Sequence, residues 1–466
     1  MENVCAVILA GGRGQRMMSD MPKVMMEVAF EPMISWVISS CRLSGVKDIC
    51  VVTGYKHEVV EEYLAKNFST VSTAFQPEQL GTGHAVQCAM KYLESTPAKD
   101  VLVLCGDAPF ISNDTIRQAH KLHVGAENSA TVISAVVPDP TGYGRIIRSG
   151  GGIMTGIVEH KDAAWEQLSV KEVSSGAFWF NKSDLIMMLG VISNINEGGE
   201  YYLPDTVKLL LNSGKPAGAY TAENPDAVLG ANDRKGLWGL CEIAKKNIID
   251  MHFYNGVEFV SVDGVILSPK VTIGAGTKIL PGTIIKGACK IGSHCVIGPG
   301  AFIEDSTIGD DSVINASQIY SSDIGSGVKI GPFSHIRPNS HIADGVKIGD
   351  FVEVKNSHID KGTSVAHLTY IGDSDVGKSV NFGCGCVTVN YDGKKKARCN
   401  ICDNAFIGCN TNLIAPVTVG ENAYTAAGST ITQNVPAGAL AIARSRQENK
   451  NGYAKKKLKQ RNGNNQ

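Results

Sequence analysis

Large aromatic side chains are scarce in this sequence. Phe, Tyr and Trp together make up 6% of its 466 residues, so its cores must be filled by aliphatic and small groups. Unbalanced charge is missing too: 44 basic residues meet 45 acidic ones, for a net charge of −1. That balance creates no global field for nucleic acid or a membrane surface, and neither partner is expected. No apolar run approaches the roughly 18 residues that a membrane span needs. The first apolar stretch, Val4 to Ala10, is short, lacks a basic leader and ends in glycines, so no export signal is expected. The 13 cysteines follow no framework spacing. They fit free thiols in a reduced, cytoplasmic protein rather than a disulfide scaffold.

Glycine, by contrast, is abundant at 51 residues, and the length calls for two or three domains. From about residue 270, aliphatic residues fall six apart. Ile273, Ile279, Ile285, Ile291, Ile297 and Ile303 form one series; Ile324, Ile330, Ile336, Ile342, Ile348 and Val354 form a second. Ile401, Ile407, Leu413, Val419, Thr425 and Ile431 form a third. Six is neither the helical period nor the alternation of one long strand. It suits a short extended face closed by a turn, with the aliphatic side chain pointing into a narrow prism and a small residue at the corner. A parallel β-helix is expected. Asn390 to Lys396 interrupts the repeat with polar residues and a glycine, which predicts a loop leaving the prism. Such a loop is either a tolerated insertion or a lid over a site.

The N-terminal half reads differently. Residues 4–9, 51–54 and 101–107 look like buried strands ending in turns, and 32–44 and 83–94 have helical apolar spacing. Alternation of this kind predicts an α/β domain with a doubly wound, mostly parallel sheet, whose ligands sit at the carboxyl ends of strands. Ala10-Gly11-Gly12-Arg13-Gly14-Gln15-Arg16 follows the first strand. A glycine-rich turn there exposes backbone N–H groups to an anion, and Arg13, Arg16 and Lys23 add charge. The Gly-Lys-Ser/Thr of a P-loop and the third glycine of a dinucleotide fingerprint are both missing.

An ordered set of motifs follows: Pro22-Lys23-Val24, Gln79 to Ala85, Gly106-Asp107-Ala108-Pro109, Gly142 to Ile146, and Glu159 to Asp162. The repeat half adds His367-Leu368-Thr369-Tyr370-Ile371-Gly372-Asp373 and Asn390-Tyr391-Asp392-Gly393. The first set resembles the sugar-1-phosphate nucleotidyltransferases. The two sets in this order resemble the bacterial bifunctional N-acetylglucosamine-1-phosphate uridyltransferases and glucosamine-1-phosphate acetyltransferases, from residue 4 to about 455.

The resemblance implies a Rossmann-like uridyltransferase domain over 1–229, a linker helix over 230–250, a left-handed β-helix acetyltransferase domain over 251–443, and a loosely ordered basic tail over 444–466. It implies acetylation of glucosamine 1-phosphate by acetyl-CoA, then UMP transfer from UTP, with Mg²⁺ as cofactor, in a homotrimer that places the second site between subunits. In the first site it assigns Asp107 and Asn232 to the metal, Lys23 to phosphate and Arg16 to the leaving pyrophosphate. Leu9, Ala10, Gly11, Gly12, Gln76, Gln79, Gly81, Thr82, Cys105 and Gly106 would frame the nucleotide, and Gly144, Glu159 and Ser174 the sugar. In the second site it assigns His367 as base, with Glu353 as a candidate to orient it. Arg337, Lys355, Tyr370, Asn381 and Asn390 would bind the amino-sugar phosphate. Cys384, Asn390, Tyr391, Cys409, Ala427 and Arg444 would meet acetyl-CoA.

Several positions depart from the family pattern. Ser174 replaces a usual Asn, Gln15 a usual Thr, Phe30-Glu31 a usual Gly-Lys, and Cys384 and Cys409 a usual Ala and Ser. Two other readings compete. One is a nucleotidyltransferase for another sugar with a non-catalytic β-helix, against which His367, Tyr370, Asn381 and Asn390 together argue. The other is a non-catalytic interaction protein, against which Lys23, Asp107 and Asn232 argue.

Overall fold

The computed structural model describes residues 1–195 and 199–463. The chain divides into two compact units, Met1–Lys246 and Asn247–Gln466. The division falls inside a helix, Arg234–Tyr254.

In the first unit a central sheet runs in the order 217–221, 130–136, 172–181, 100–105, 4–10, 48–53, 72–75. Its strands are parallel except Glu172–Asn181, which runs against both neighbours. The inner strands Val4–Ala10 and Asp100–Cys105 are almost wholly apolar because helices cover both of their faces. Helix Met33–Ser44 buries Met33, Ile34, Val37, Ile38 and Cys41, the three-and-four spacing that its sequence predicts. The stretch expected as one helix over 83–94 is two, Thr82–Cys88 and Met90–Ser95. Helix Asn113–Gly125 starts at Ser112, whose hydroxyl accepts from the Thr115 N–H at 3.0 Å.

The second unit is a parallel β-helix of three sheets, with 11, 10 and 9 short strands. The three aliphatic series belong to one continuous ladder. Ile308, Ile314 and Ile319 bridge the first gap, and Ile359, Val365, Ile371, Val376, Phe382 and Thr388 the second; all are buried. Period counting misses these residues because five corners are one residue short. Ile303 to Ile308, Ile314 to Ile319, Ile319 to Ile324, Val354 to Ile359 and Ile371 to Val376 are steps of five. Each short corner carries a left-handed residue two places after its first aliphatic: Asp305, Ala316, Ser321, Asn356 and Asp373, with φ between 40° and 48°. A positive φ turns the chain more sharply, and Asp and Asn tolerate it best.

The basic tail contains a helix, Tyr453–Gly463, exposed over residues 453–458. At the other end of the unit, His252 is 2% exposed, and among the described residues neither ring nitrogen has a hydrogen-bond partner. Burial lowers its pKa from the ordinary 6.5. The folded chain therefore binds that proton less readily than the unfolded chain. The stability that depends on neutral His252 is complete above about pH 6.5 and is lost as pH falls below it. Thermal unfolding followed between about pH 8 and pH 5 should show this decline, and His252→Phe should flatten it. Equal slopes for the two proteins would refute the assignment.

Candidate functional sites

In the first unit the ends of strands Val4–Ala10 and Asp100–Cys105 open onto two adjoining pockets. The first is lined by Leu9, Gly11, Gly12, Lys23, Gln76, Gln79, Gly81, Thr82, Cys105 and Asp107, along with Val24, Ala85 and Glu200. Gly11 is required here: a Cβ on it would run into Oε1 of Gln76. Gln76 is itself buried, donating from Nε2 to the Gly81 carbonyl at 3.2 Å and lying 3.2 Å from His84 Nδ1. Gly106 closes the strand end, its N–H donating to the Leu9 carbonyl at 2.9 Å. Ala10 is buried and lies outside the pocket lining, and Arg16 stands exposed on the next turn.

Lys23 forms an ion pair with Asp107 Oδ2, and its Nζ donates to Asn232 Oδ1 at 2.8 Å. Two oxygens from distant parts of the sequence thus converge on one cation. Hard oxygen donors of this kind, one charged and one neutral, fit Mg²⁺, which takes few protein ligands and keeps the rest for phosphate and water. Asn232 is reachable because Gly230 packs against the Asp107 backbone, where a Cβ would sit 3.1 Å from the Asp107 carbonyl oxygen. Burial pushes the Cys105 thiol up to about 12, so it lines the site as a neutral group.

The second pocket contains Gly142, Tyr143, Gly144, Glu159 and Ser174, and shares Leu9, Thr82, Cys105 and Glu200 with the first. Burial raises the Glu159 pKa, and Asp162 and Asp205 add to the rise. Ser174 lies at a register shift in strand Glu172–Asn181. Its hydroxyl accepts from the Gly176 N–H at 3.2 Å, and its own N–H donates to the Gly144 carbonyl at 2.9 Å. The serine hydroxyl therefore supports its own bulge as well as facing the pocket. Glu200, Tyr202 and Pro204 also line this pocket. No motif singled them out: Glu200 and Tyr202 precede helix Leu203–Asn212, and Pro204 lies in its first turn.

In the second unit the coils stack by register. Ile348 faces Val365, Val365 faces Phe382, Phe382 faces Ile407 and Ile407 faces Thr425. Two residues further on in each coil, the same corner carries Asp350, His367, Cys384, Cys409 and Ala427. Four of these were assigned to the acetyl site from widely separated motifs, and the stacking alone brings them onto one edge. Arg444 belongs there too: its Cδ lies 3.9 Å from where a Cβ on Gly428 would be.

Around the corner, Arg337 and Lys355 occupy equivalent positions on successive coils. Tyr370 follows Glu353 in register. Glu353 is not placed to orient His367, because it accepts from Arg337 Nη1 at 2.9 Å. His367 Nδ1 lies 3.1 Å from Asp350 Oδ1 instead. Asn381 sits on a different face, in register with Ser364 and Phe406, and one chain does not bring it to Arg337 and Lys355.

Asp373 ends the motif that begins at His367, but no role was assigned to it from the sequence. It is 4% exposed and accepts from Lys355 Nζ at 3.2 Å and from the amides of Asn356 and Asn390. Burial pushes its pKa up, but the bonds from Asn356, Asn390 and Lys355 outweigh this and hold it below the usual carboxylate value. Asn390 also lies 3.5 Å from the Tyr370 hydroxyl. It stands at the base of the 390–396 loop, whose Asp392 carboxylate accepts from the N–H groups of Lys394 and Lys395 at 2.7 and 2.6 Å. Tyr391 is exposed on that loop.

Comparison with known proteins agrees with this division. Residues 5–228 match the nucleotidyl transferase family. Residues 270–305, 321–356 and 398–433 match the bacterial transferase hexapeptide family, described as six repeats. The chain is 48% identical to the bifunctional protein GlmU of Caldanaerobacter subterraneus subsp. tengcongensis, over 98% of this chain and 99% of that protein. It is 47% identical to the bifunctional protein GlmU of Acetivibrio thermocellus, over 98% of each chain. A Clostridium botulinum protein of the same name is 45% identical over 97% of this chain and 98% of its own length.

Proposed function

The chain belongs to the bifunctional GlmU family, a uridyltransferase joined to a left-handed β-helix acetyltransferase, and from that premise we propose how its residues divide the work. The observation that carries the reading is that each unit holds its own converged set of functional groups. Lys23, Asp107 and Asn232 meet in one unit, and His367 shares a corner with Cys384, Cys409 and Ala427 in the other.

In the first unit a phosphate oxygen of N-acetylglucosamine 1-phosphate attacks the α-phosphorus of UTP. The bond to the bridging oxygen breaks and pyrophosphate leaves. Gly11, Gly12, Gln76, Gly81 and Thr82 would hold the nucleotide, and Gly144, Glu159 and Ser174 the sugar. Asp107 and Asn232 would hold Mg²⁺, which when bound neutralises charge on the triphosphate. Lys23 then turns its ammonium to phosphate, and Arg16 closes on the departing pyrophosphate.

In the second unit the amine of glucosamine 1-phosphate attacks the acetyl carbonyl of acetyl-CoA. His367 takes the amine proton and passes it to the departing sulfur, so that the C–S bond breaks and CoA leaves as its thiol. Arg337 and Lys355 match a phosphate monoester in charge, with Tyr370 and Asn390 beside them. Asn381, on another face, would be supplied by a neighbouring copy. That need supports a trimer in which the second site lies between subunits. Cys384, Tyr391, Cys409, Ala427 and Arg444 would line the acetyl-CoA path. Use of acetyl-CoA and UTP supports a cytoplasmic setting.

One coupled assay tests the whole reading: glucosamine 1-phosphate, acetyl-CoA, UTP and Mg²⁺ should yield CoA, pyrophosphate and UDP-N-acetylglucosamine. His367→Ala should cut CoA release by on the order of 10²- to 10⁴-fold. It should leave pyrophosphate release from preformed N-acetylglucosamine 1-phosphate intact. Pyrophosphate without CoA from the unmutated chain would overturn the acetyltransferase half.

A further inference from the structure

Resting on the reading of His367 as the base of acetyl transfer, we infer that Asp350 is its positioning residue, fixing the ring's tautomer and stabilising the imidazolium that forms. The coil geometry supports this before any side chain is considered. Lys347–Asp350 and Ser364–His367 are the only four-residue strands of the prism among the described residues. They pair through Lys347↔Ser364, Ile348↔Val365 and Asp350↔His367. The Leu368 N–H donates to the Asp350 carbonyl at 3.0 Å, which locks the two corners together. Backbone pairing therefore brings Asp350 Oδ1 to 3.1 Å from His367 Nδ1. Among the described residues, no other group is hydrogen-bonded to that ring.

The chemistry follows from the tautomer. A base must offer an unprotonated nitrogen to the amine. If Nδ1 carries the proton and donates it to a carboxylate, Nε2 is left with its lone pair outward. When Nε2 takes the amine proton, the adjacent anion stabilises the resulting cation. Asp350 remains an anion: a backbone N–H and then the imidazole bond hold its carboxyl below the usual carboxylate range. Glu353, the other carboxylate in the neighbourhood, is committed to Arg337. By strand register, Lys347 on the preceding coil pairs with Ser364, and Cys384 follows the Phe382 that pairs with Val365 on the next.

The test uses the full-length chain with Asp350→Asn and Asp350→Glu, alongside His367→Ala. Asp350→Asn keeps the shape and removes the charge. Its kcat for acetyl transfer should fall on the order of 10²-fold, with little change in KM for either substrate. The acid limb of its kcat/KM profile should move to lower pH, since an imidazole without the anion protonates less readily. Asp350→Glu should recover part of the kcat and return the limb toward its original position. A thermal unfolding midpoint close to the parent's confirms that each variant is folded. If His367→Ala kills acetylation while Asp350→Asn leaves both kcat and the acid limb unchanged, the inference is wrong and the base assignment stands. If His367→Ala itself remains active, the base assignment has failed, and the inference falls with it.

Discussion

Asp107→Ala is expected to stop uridylyl transfer, lowering pyrophosphate release by at least about 10³-fold, while CoA release by the same protein stays within about twofold of the parent. Asp107 Oδ2 is one of two oxygens that converge on Lys23, and Asn232 Oδ1 is the other. Removing the carboxylate takes away the charged half of the pair proposed to hold the metal. It also leaves the Lys23 ammonium with a single neutral partner at the mouth of a phosphate site. Electrostatic stabilisation by a bound metal contributes several kcal/mol to a charged transition state, which is what sets the size of the loss. Asp107→Asn separates the two effects. It keeps an oxygen in place and loses the charge, so activity should partly return as Mg²⁺ is raised, with half-saturation at higher Mg²⁺ than in the parent. The measurement is pyrophosphate release from UTP and N-acetylglucosamine 1-phosphate across a Mg²⁺ series, with CoA release as internal control. An Asp107→Ala protein within tenfold of the parent would show that the metal is held elsewhere.

How much of this was legible in the sequence depends on whether a residue announces its role by type and spacing. Ile273 to Ile303 recur every six because each must point into the same narrow prism, and period counting finds them. It loses the ladder at Ile303 because a left-handed Asp305 takes the next corner in one residue fewer. The glycine loop stood out as a candidate by its composition after a buried strand, and Asp107 through the family resemblance; both line one pocket. Asp350 was not readable. It is one of many acidic residues at corners, and only stacking against His367 one coil later distinguishes it. Glu353 was the carboxylate expected to orient His367, yet it stands round the corner with Arg337. Ser174 shows the opposite limit. The sequence marked it as a departure, and the structure shows its hydroxyl supporting the bulge at Gly176.

Asp373 has the largest expected effect among the residues to which no role was assigned from the sequence. It is a nearly inaccessible carboxylate at a tight corner, with φ of 48°, and three donors converge on it. Asp373→Asn retains the shape and the tolerance for a left-handed backbone, so it isolates the charge. An amide there has one acceptor oxygen for Lys355, Asn356 and Asn390, and turns an NH₂ group toward them. Leaving such donors unpaired should cost about 3 kcal/mol of stability in the second unit. Because Lys355 and Asn390 are the groups proposed to hold glucosamine 1-phosphate, its KM should rise by about tenfold or more, on the scale of 1.4 kcal/mol per decade. Uridylyl transfer should be unaffected. The pH dependence has a definite sign. A carboxyl held below its ordinary 3.8 in the folded chain contributes stability that is complete above that pH and is lost as pH falls through the lower folded value. Assays near neutrality therefore compare the variant with a parent in which Asp373 is ionised. Urea unfolding and the KM for glucosamine 1-phosphate measure the two effects separately. Loss of stability with an unchanged KM would make Asp373 a purely structural corner, and a raised KM with unchanged stability would make it a residue of the binding site alone. Both should change, because the same three bonds hold the corner and aim the two side chains.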